Sequence, residues 1–82
     1  MGENLGDLIN EAFEITNQLP LDMTIYYDND LDSVKFIFEY SCHVNSIMFS
    51  MTEINCIGDI RYLTNRLHEC VYTLLDGRFD NQ

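Results

Sequence analysis

Residues 34–40 alternate without a break, with Val34, Phe36, Phe38 and Tyr40 at one parity and Lys35, Ile37 and Glu39 at the other. Only an extended chain separates those two sets, because successive side chains of a strand point to opposite faces. A lone strand cannot bury its apolar face, so the rest of the chain must supply neighbouring strands and a cover. The flanking sequence offers both. Residues 23–28 alternate as well, Met23, Ile25 and Tyr27 against Thr24, Tyr26 and Asp28, and the polar segment Asp28–Ser33 reads as the turn between the two strands. A second turn near Ser41–Asn45 is expected to lead into a third strand at about 46–53, with Ile47, Phe49 and Met51 on one face.

Outside this block the period changes from two to that of a helix. Leu5, Leu8, Ile9, Ala12, Phe13 and Leu19 recur at helical spacing over residues 4–19, and Pro20 ends the run because the residue before a proline disfavours helical backbone. Gly58 and Asp59 mark a second start, with Asp59 as N-cap. Ile60, Leu63, Leu67, Cys70, Val71 and Leu74 form the stripe that follows, and Gly77 is placed as the glycine that closes it. The expectation is an α+β fold of order α-β-β-β-α, a three-stranded antiparallel meander carrying helices, as a single domain over residues 1–82. With 46% hydrophobic residues the chain has the means to fold, although 82 residues bury only a modest core.

The side of the sheet away from the main core carries Tyr26, Ile37 and Met48, one from each strand. If both helices cover the other side, this face is left as an apolar surface and is expected to form a homodimer interface. The alternative is that the two helices cover opposite faces.

Charge is the second strong signal. Fourteen acids against four Lys and Arg give a net −10. Residues 1–32 hold eight acids (Glu3, Asp7, Glu11, Glu14, Asp22, Asp28, Asp30 and Asp32) and no Lys or Arg, whereas residues 33–82 hold six acids and all four basic residues. On a helical wheel Glu3, Asp7, Glu11 and Glu14 fall within an arc of about 80°, with successive members about 6 Å apart along the axis where the step is four residues. Like charges so placed repel by tenths of a kcal/mol per pair, roughly, and no Lys is interleaved to relieve them. Asp28, Asp30 and Asp32 form a second cluster at the first hairpin. Direct binding to DNA, RNA or an anionic membrane is disfavoured, and the fitting partner is basic.

Little in the sequence points to catalysis or a cofactor. Cys42, Cys56 and Cys70 are odd in number and widely spaced, which fits free thiols in a reducing compartment. There is no paired-cysteine zinc motif, and Cys42, His43, Cys56, His68 and Cys70 lack zinc-ligand spacing. Asp28, Asp30, Asp32 and Glu39 partly match a calcium loop, but Ser33 stands where its sharp turn needs glycine. No glycine-rich phosphate loop occurs, and no cofactor, metal or enzymatic activity is expected. A basic, apolar leader at the start and an apolar run long enough to span a membrane are likewise not found, so a cytoplasmic location is expected.

The small size, the charge and the acidic stretches ENLGDLINEAFE and YYDNDLDS resemble the phage-encoded DNA-mimic host-takeover proteins. That group includes inhibitors of the nucleoid protein HU, the uracil-DNA glycosylase inhibitors and some anti-CRISPR proteins. NLGDLINE is similar to the start of the glycosylase inhibitors, whose later Gln-Glu-Ser-Ile-Leu segment has no counterpart here. An α-β-β-β-α dimer resembles the HU-inhibitor type more. The resemblance implies a protein that occupies the DNA-binding surface of a basic bacterial host protein such as HU, through Glu3, Asp7, Glu11, Glu14, Asp28, Asp30 and Asp32. The rival readings are an acidic inhibitor of another class (anti-CRISPR, antitoxin or immunity-like) and a small ligand-binding or enzymatic domain.

Overall fold

A computed structural model of the chain describes residues 3–56 and 58–76. The elements in order are α1 (Glu3–Gln18), β1 (Asp22–Asp28), β2 (Ser33–Tyr40), β3 (His43–Ser50), α2 (Met51–Cys56) and α3 (Arg61–Asp76). The strands form one antiparallel sheet in the order β1-β2-β3, so the fold is α+β with a helix before the meander and helices after it.

The register explains why the alternation at residues 34–40 organises everything else. Ile25 pairs with Phe36 and Phe36 with Ile47; Met23 pairs with Phe38, and Val34 with Phe49. These residues share one face, and Val34, Phe36, Phe38 and Phe49 are buried there with Leu8, Ala12 and Ile15 of α1 and Leu63, Leu67, Cys70, Val71 and Leu74 of α3. Phe36 meets Phe49 edge to face, the favoured arrangement for aromatic rings, with centroids 5.9 Å apart. α3 packs on β3 and β2, and α1 packs on α3 and α2. Both long helices therefore belong to the one core, on one side of the sheet. Of the two arrangements open from the sequence, this is the one that leaves the opposite face uncovered by any described element.

Both ends of the third strand differ from the sequence reading. The turn after β2 is only Ser41–Cys42, and β3 begins at His43, not near 46. Both turn residues have positive φ, 51° and 71°. That is the conformation a two-residue hairpin needs and one that Asn and Gly signal, whereas Ser and Cys do not. Asn45 consequently sits on the core side of β3, where its side-chain amide donates to the Cys70 carbonyl at 3.0 Å. The strand also stops earlier than expected, because Met51–Cys56 is helical. The Ser50 hydroxyl oxygen accepts from the Glu53 N–H at 3.0 Å, so S-M-T-E is an N-cap with acid at the third helical position.

In α1 the apolar face is rotated from the one expected. Phe13 is 51% exposed, while Ile15 is buried at 5%. The stripe is centred on Leu8, Ala12 and Ile15, which carries Glu11 toward the flank of the core. In α3 the expected stripe is buried, and the Asp59 carboxylate accepts from the Arg61 N–H at 3.0 Å as its N-cap. Gly77 lies outside the described residues. No helix among the described residues is long and apolar enough to cross a membrane.

Candidate functional site

The expected site residues lie on two elements that converge at one end of the molecule. The Asn4 amide at the start of α1 donates to the Ile54 carbonyl of α2 at 2.8 Å. The Met51 N–H at the start of α2 donates to the Asp32 carbonyl of the β1–β2 turn at 2.9 Å. The six residues of α2 span about 9 Å, so they tie the first turn of α1 to the hairpin tip. The start of the first acidic stretch is thereby brought toward the hairpin that carries the second, while Glu14 lies about 15 Å further along α1.

Their side chains divide into two kinds. Asp28 uses its carboxylate to hold the turn, accepting from the Asp30 and Leu31 N–H groups at 3.0 and 3.2 Å. Asp32, with φ of 50°, accepts from the Tyr27 hydroxyl at 2.5 Å. That hydrogen bond raises the Tyr27 phenol above its ordinary value of 10.0, with the negative charges of Asp32 and Asp28 adding to it. Glu11 is half-buried at the α1–α3 seam, 2.7 Å from His68 Nε2. These three acids have internal work. Asp7, Glu14 and Asp30, by contrast, are exposed, and their carboxylates have no ion pair or hydrogen bond among the described residues. Glu3 opens α1, and its side chain lies outside the described residues.

In the other half of the chain two acids pair with arginines, while Glu39 and Glu69 are exposed without an ion pair or hydrogen bond among the described residues. Arg66 pairs with Glu53 at 2.8 Å, with both side chains about two-thirds covered, and its guanidinium lies 5.0 Å above the Phe49 ring and 5.8 Å from that of Tyr62. Arg61 pairs with Asp59 at 2.8 Å, and its guanidinium, together with its own N–H, holds the Asp59 carboxyl below the usual range. The Arg66 cluster was missed in sequence because its members lie 13 and 17 residues apart on three elements. The only local clue was the S-x-x-E pattern that positions Glu53.

Other chemistry finds little footing. Among the described residues no three His, Cys, Asp or Glu side chains gather in a way that could hold a metal ion. Cys42 and Cys56 are exposed, and Cys70 is a buried thiol pushed up to about 11 by desolvation, which makes it a poor nucleophile. Two surface hollows, of about 230 Å³ beside Asn45, Arg66 and Glu69 and about 160 Å³ beside Ile15, His68 and Tyr72, are smaller than the roughly 300–1,000 Å³ of ligand pockets.

Tyr26, Ile37 and Met48 all lie on the uncovered face of the sheet, Tyr26 and Met48 exposed and Ile37 half-buried. Compared with protein-family models, with curated proteins and with solved structures, the chain finds no match.

Proposed function

We propose that this chain is an acidic DNA mimic that binds a basic bacterial DNA-binding protein and blocks its DNA-binding surface, acting in the cytoplasm. The observation that carries the proposal is the contrast in how the acids are used. Both described arginines are neutralised by acids of their own half, while Asp7, Glu14 and Asp30 are left solvated, with no ion pair among the described residues. Solvated carboxylates held on a helix and a pinned hairpin can meet Lys and Arg that otherwise neutralise phosphates.

Magnitudes say how good the imitation is. Four acids separated by three intervals over eleven residue steps of helix give one charge per roughly 5.5 Å, from a rise of about 1.5 Å per residue. One DNA strand carries a charge about every 3.4 Å. The helix alone is thus more dilute than a strand of DNA, and the hairpin tip is needed to extend it. The carboxylate of Glu11, engaged with His68, contributes less to this surface than its sequence position implied.

The nucleoid protein HU is the first target to test. Titrated into a preformed HU–duplex complex in a gel shift, the protein is expected to release free DNA without itself binding the duplex. Persistence of the HU–DNA band at saturating protein overturns the HU reading, and a supershifted band in place of release overturns occlusion.

A further inference from the structure

The bare face of the sheet has an ordered pattern. Read across β1, β2 and β3, one row is Tyr26–Lys35–Met48, the next Thr24–Ile37–Ser46, and the next Asp22–Glu39–Val44. Tyr26, Met48 and Val44 are 54%, 42% and 53% exposed. Lys35 is half-buried and has no carboxylate partner among the described residues, although the chain has fourteen acids. Glu39, on the same strand, is four residues and about 13 Å away, beyond reach of an ion pair. The central strand therefore presents a positive group, an isoleucine and a negative group in line.

We propose that two copies of this chain associate face to face across this surface, with a two-fold axis crossing β2 at Ile37 and Lys35 of each copy paired with Glu39 of the other. A face-to-face dimer can place its axis along the strands or across them. Along the strands, Lys35 opposes Lys35 and Glu39 opposes Glu39, which is repulsive. Across the strands, Lys35 opposes Glu39 twice and Ile37 opposes itself. Met48 then meets Val44 of the other copy, and the Tyr26 hydroxyl meets Asp22. No like charges are directly opposed, and Ile37, Met48 and Val44 each meet an apolar side chain. The charge order on β2 selects the second arrangement.

The interface is small. Nine residues in three rows on three strands cover roughly 14 by 17 Å, well under the ~800 Å² per partner of a standard interface, so a weak dimer, formed only toward millimolar concentration, is expected. Two chains of net −10 also repel, which calls for measurement near physiological ionic strength. The dimer is independent of the DNA-mimic proposal, since none of its contacts uses Asp7, Glu14 or Asp30.

Sedimentation equilibrium of five samples tests it: wild type, Lys35→Glu, Glu39→Lys, the double swap, and an equimolar mixture of the two single variants. Each single variant is expected to weaken dimerisation about ten-fold, because two attractive pairs become repulsive. The double swap and the mixture are expected to recover the wild-type constant. Circular dichroism checks folding, and Ile37→Lys, which sets two ammonium groups against each other on the axis, is expected to be monomeric. A wild type that stays monomeric near millimolar concentration overturns the proposal. So does a dimer that ignores the single charge changes, or a mixture that fails to associate.

Discussion

The acids of residues 3–32 and those of residues 33–76 are built into the fold in different ways. In the later segment Glu53 and Asp59 are each held by an arginine, and the guanidinium of Arg66, the partner of Glu53, lies over Phe49. In the earlier segment no carboxylate meets a Lys or Arg among the described residues. Asp28 and Asp32 are used by the hairpin and Glu11 by His68, while Asp7, Glu14 and Asp30 are solvated. Net charge alone does not identify a binding surface. The informative quantity is how much unpartnered charge the fold leaves in a segment without cations: Glu39 and Glu69 are solvated as well, but each shares its element with Lys35 or Arg66.

The widest separation is expected between Glu14 and Glu69, two exposed acids on α1 and α3 whose reversal changes net charge equally. Glu14→Lys should weaken binding to the target by about ten-fold, mainly through a slower association rate, and Glu69→Lys by less than about two-fold. Stopped-flow association at fixed salt reads both. Equal losses would mean that only bulk charge matters and would erase the contrast.

Stability should run the other way. Removing the Glu53 carboxylate leaves the Arg66 guanidinium partly buried over Phe49 without its partner, so Glu53→Ala is expected to cost about 1–2 kcal/mol in urea unfolding. Within α1, Glu11→Lys should cost about 1 kcal/mol through loss of the His68 contact, whereas Glu14→Lys should be neutral or slightly stabilising as like-charge repulsion is relieved. A Glu11→Lys variant as stable as Glu14→Lys would place Glu11 with the solvated acids after all.

How much of this was readable in the sequence depends on the reach of each signal. The alternation of Val34–Tyr40 and the stripe from Leu63 to Leu74 are local and repeated, and both emerged as read. The Ser41–Cys42 turn was not, because its positive φ values fall on residues that do not announce them. α2 was legible in principle from Ser50 and Glu53, yet the apolar Ile47, Phe49 and Met51 extended the strand pattern past its end. Phe13 was assigned to the core over Ile15 because wheel position alone does not say where a narrow stripe is centred. For the acids, sequence showed their segregation but not their internal partners, which come from other elements: Glu11 meets a residue 57 positions away.

The smallest effect contrasts two acids of one turn. Tyr27 donates to Asp32, not to Asp30, so its phenol should titrate above 10.0 in the wild type and fall back in Asp32→Asn, with Asp30→Asn leaving it unchanged. Because the folded value is raised, this contact stabilises below the unfolded tyrosine value of about 10 and is lost as pH rises through the folded one. Ultraviolet difference titration reads the change.

The most direct measurement is displacement of a fluorescent duplex from HU at about 50 and 150 mM salt, comparing the wild type with the Asp7→Lys, Glu14→Lys, Asp30→Lys triple variant. The wild type is expected to release the duplex fully, with a midpoint that shifts steeply between the two salts, while the triple variant, folded by circular dichroism, requires at least about 100-fold more protein. A duplex that stays bound at saturating wild type, or a triple variant that displaces it equally well, would contradict the assignment of these three solvated carboxylates as phosphate substitutes.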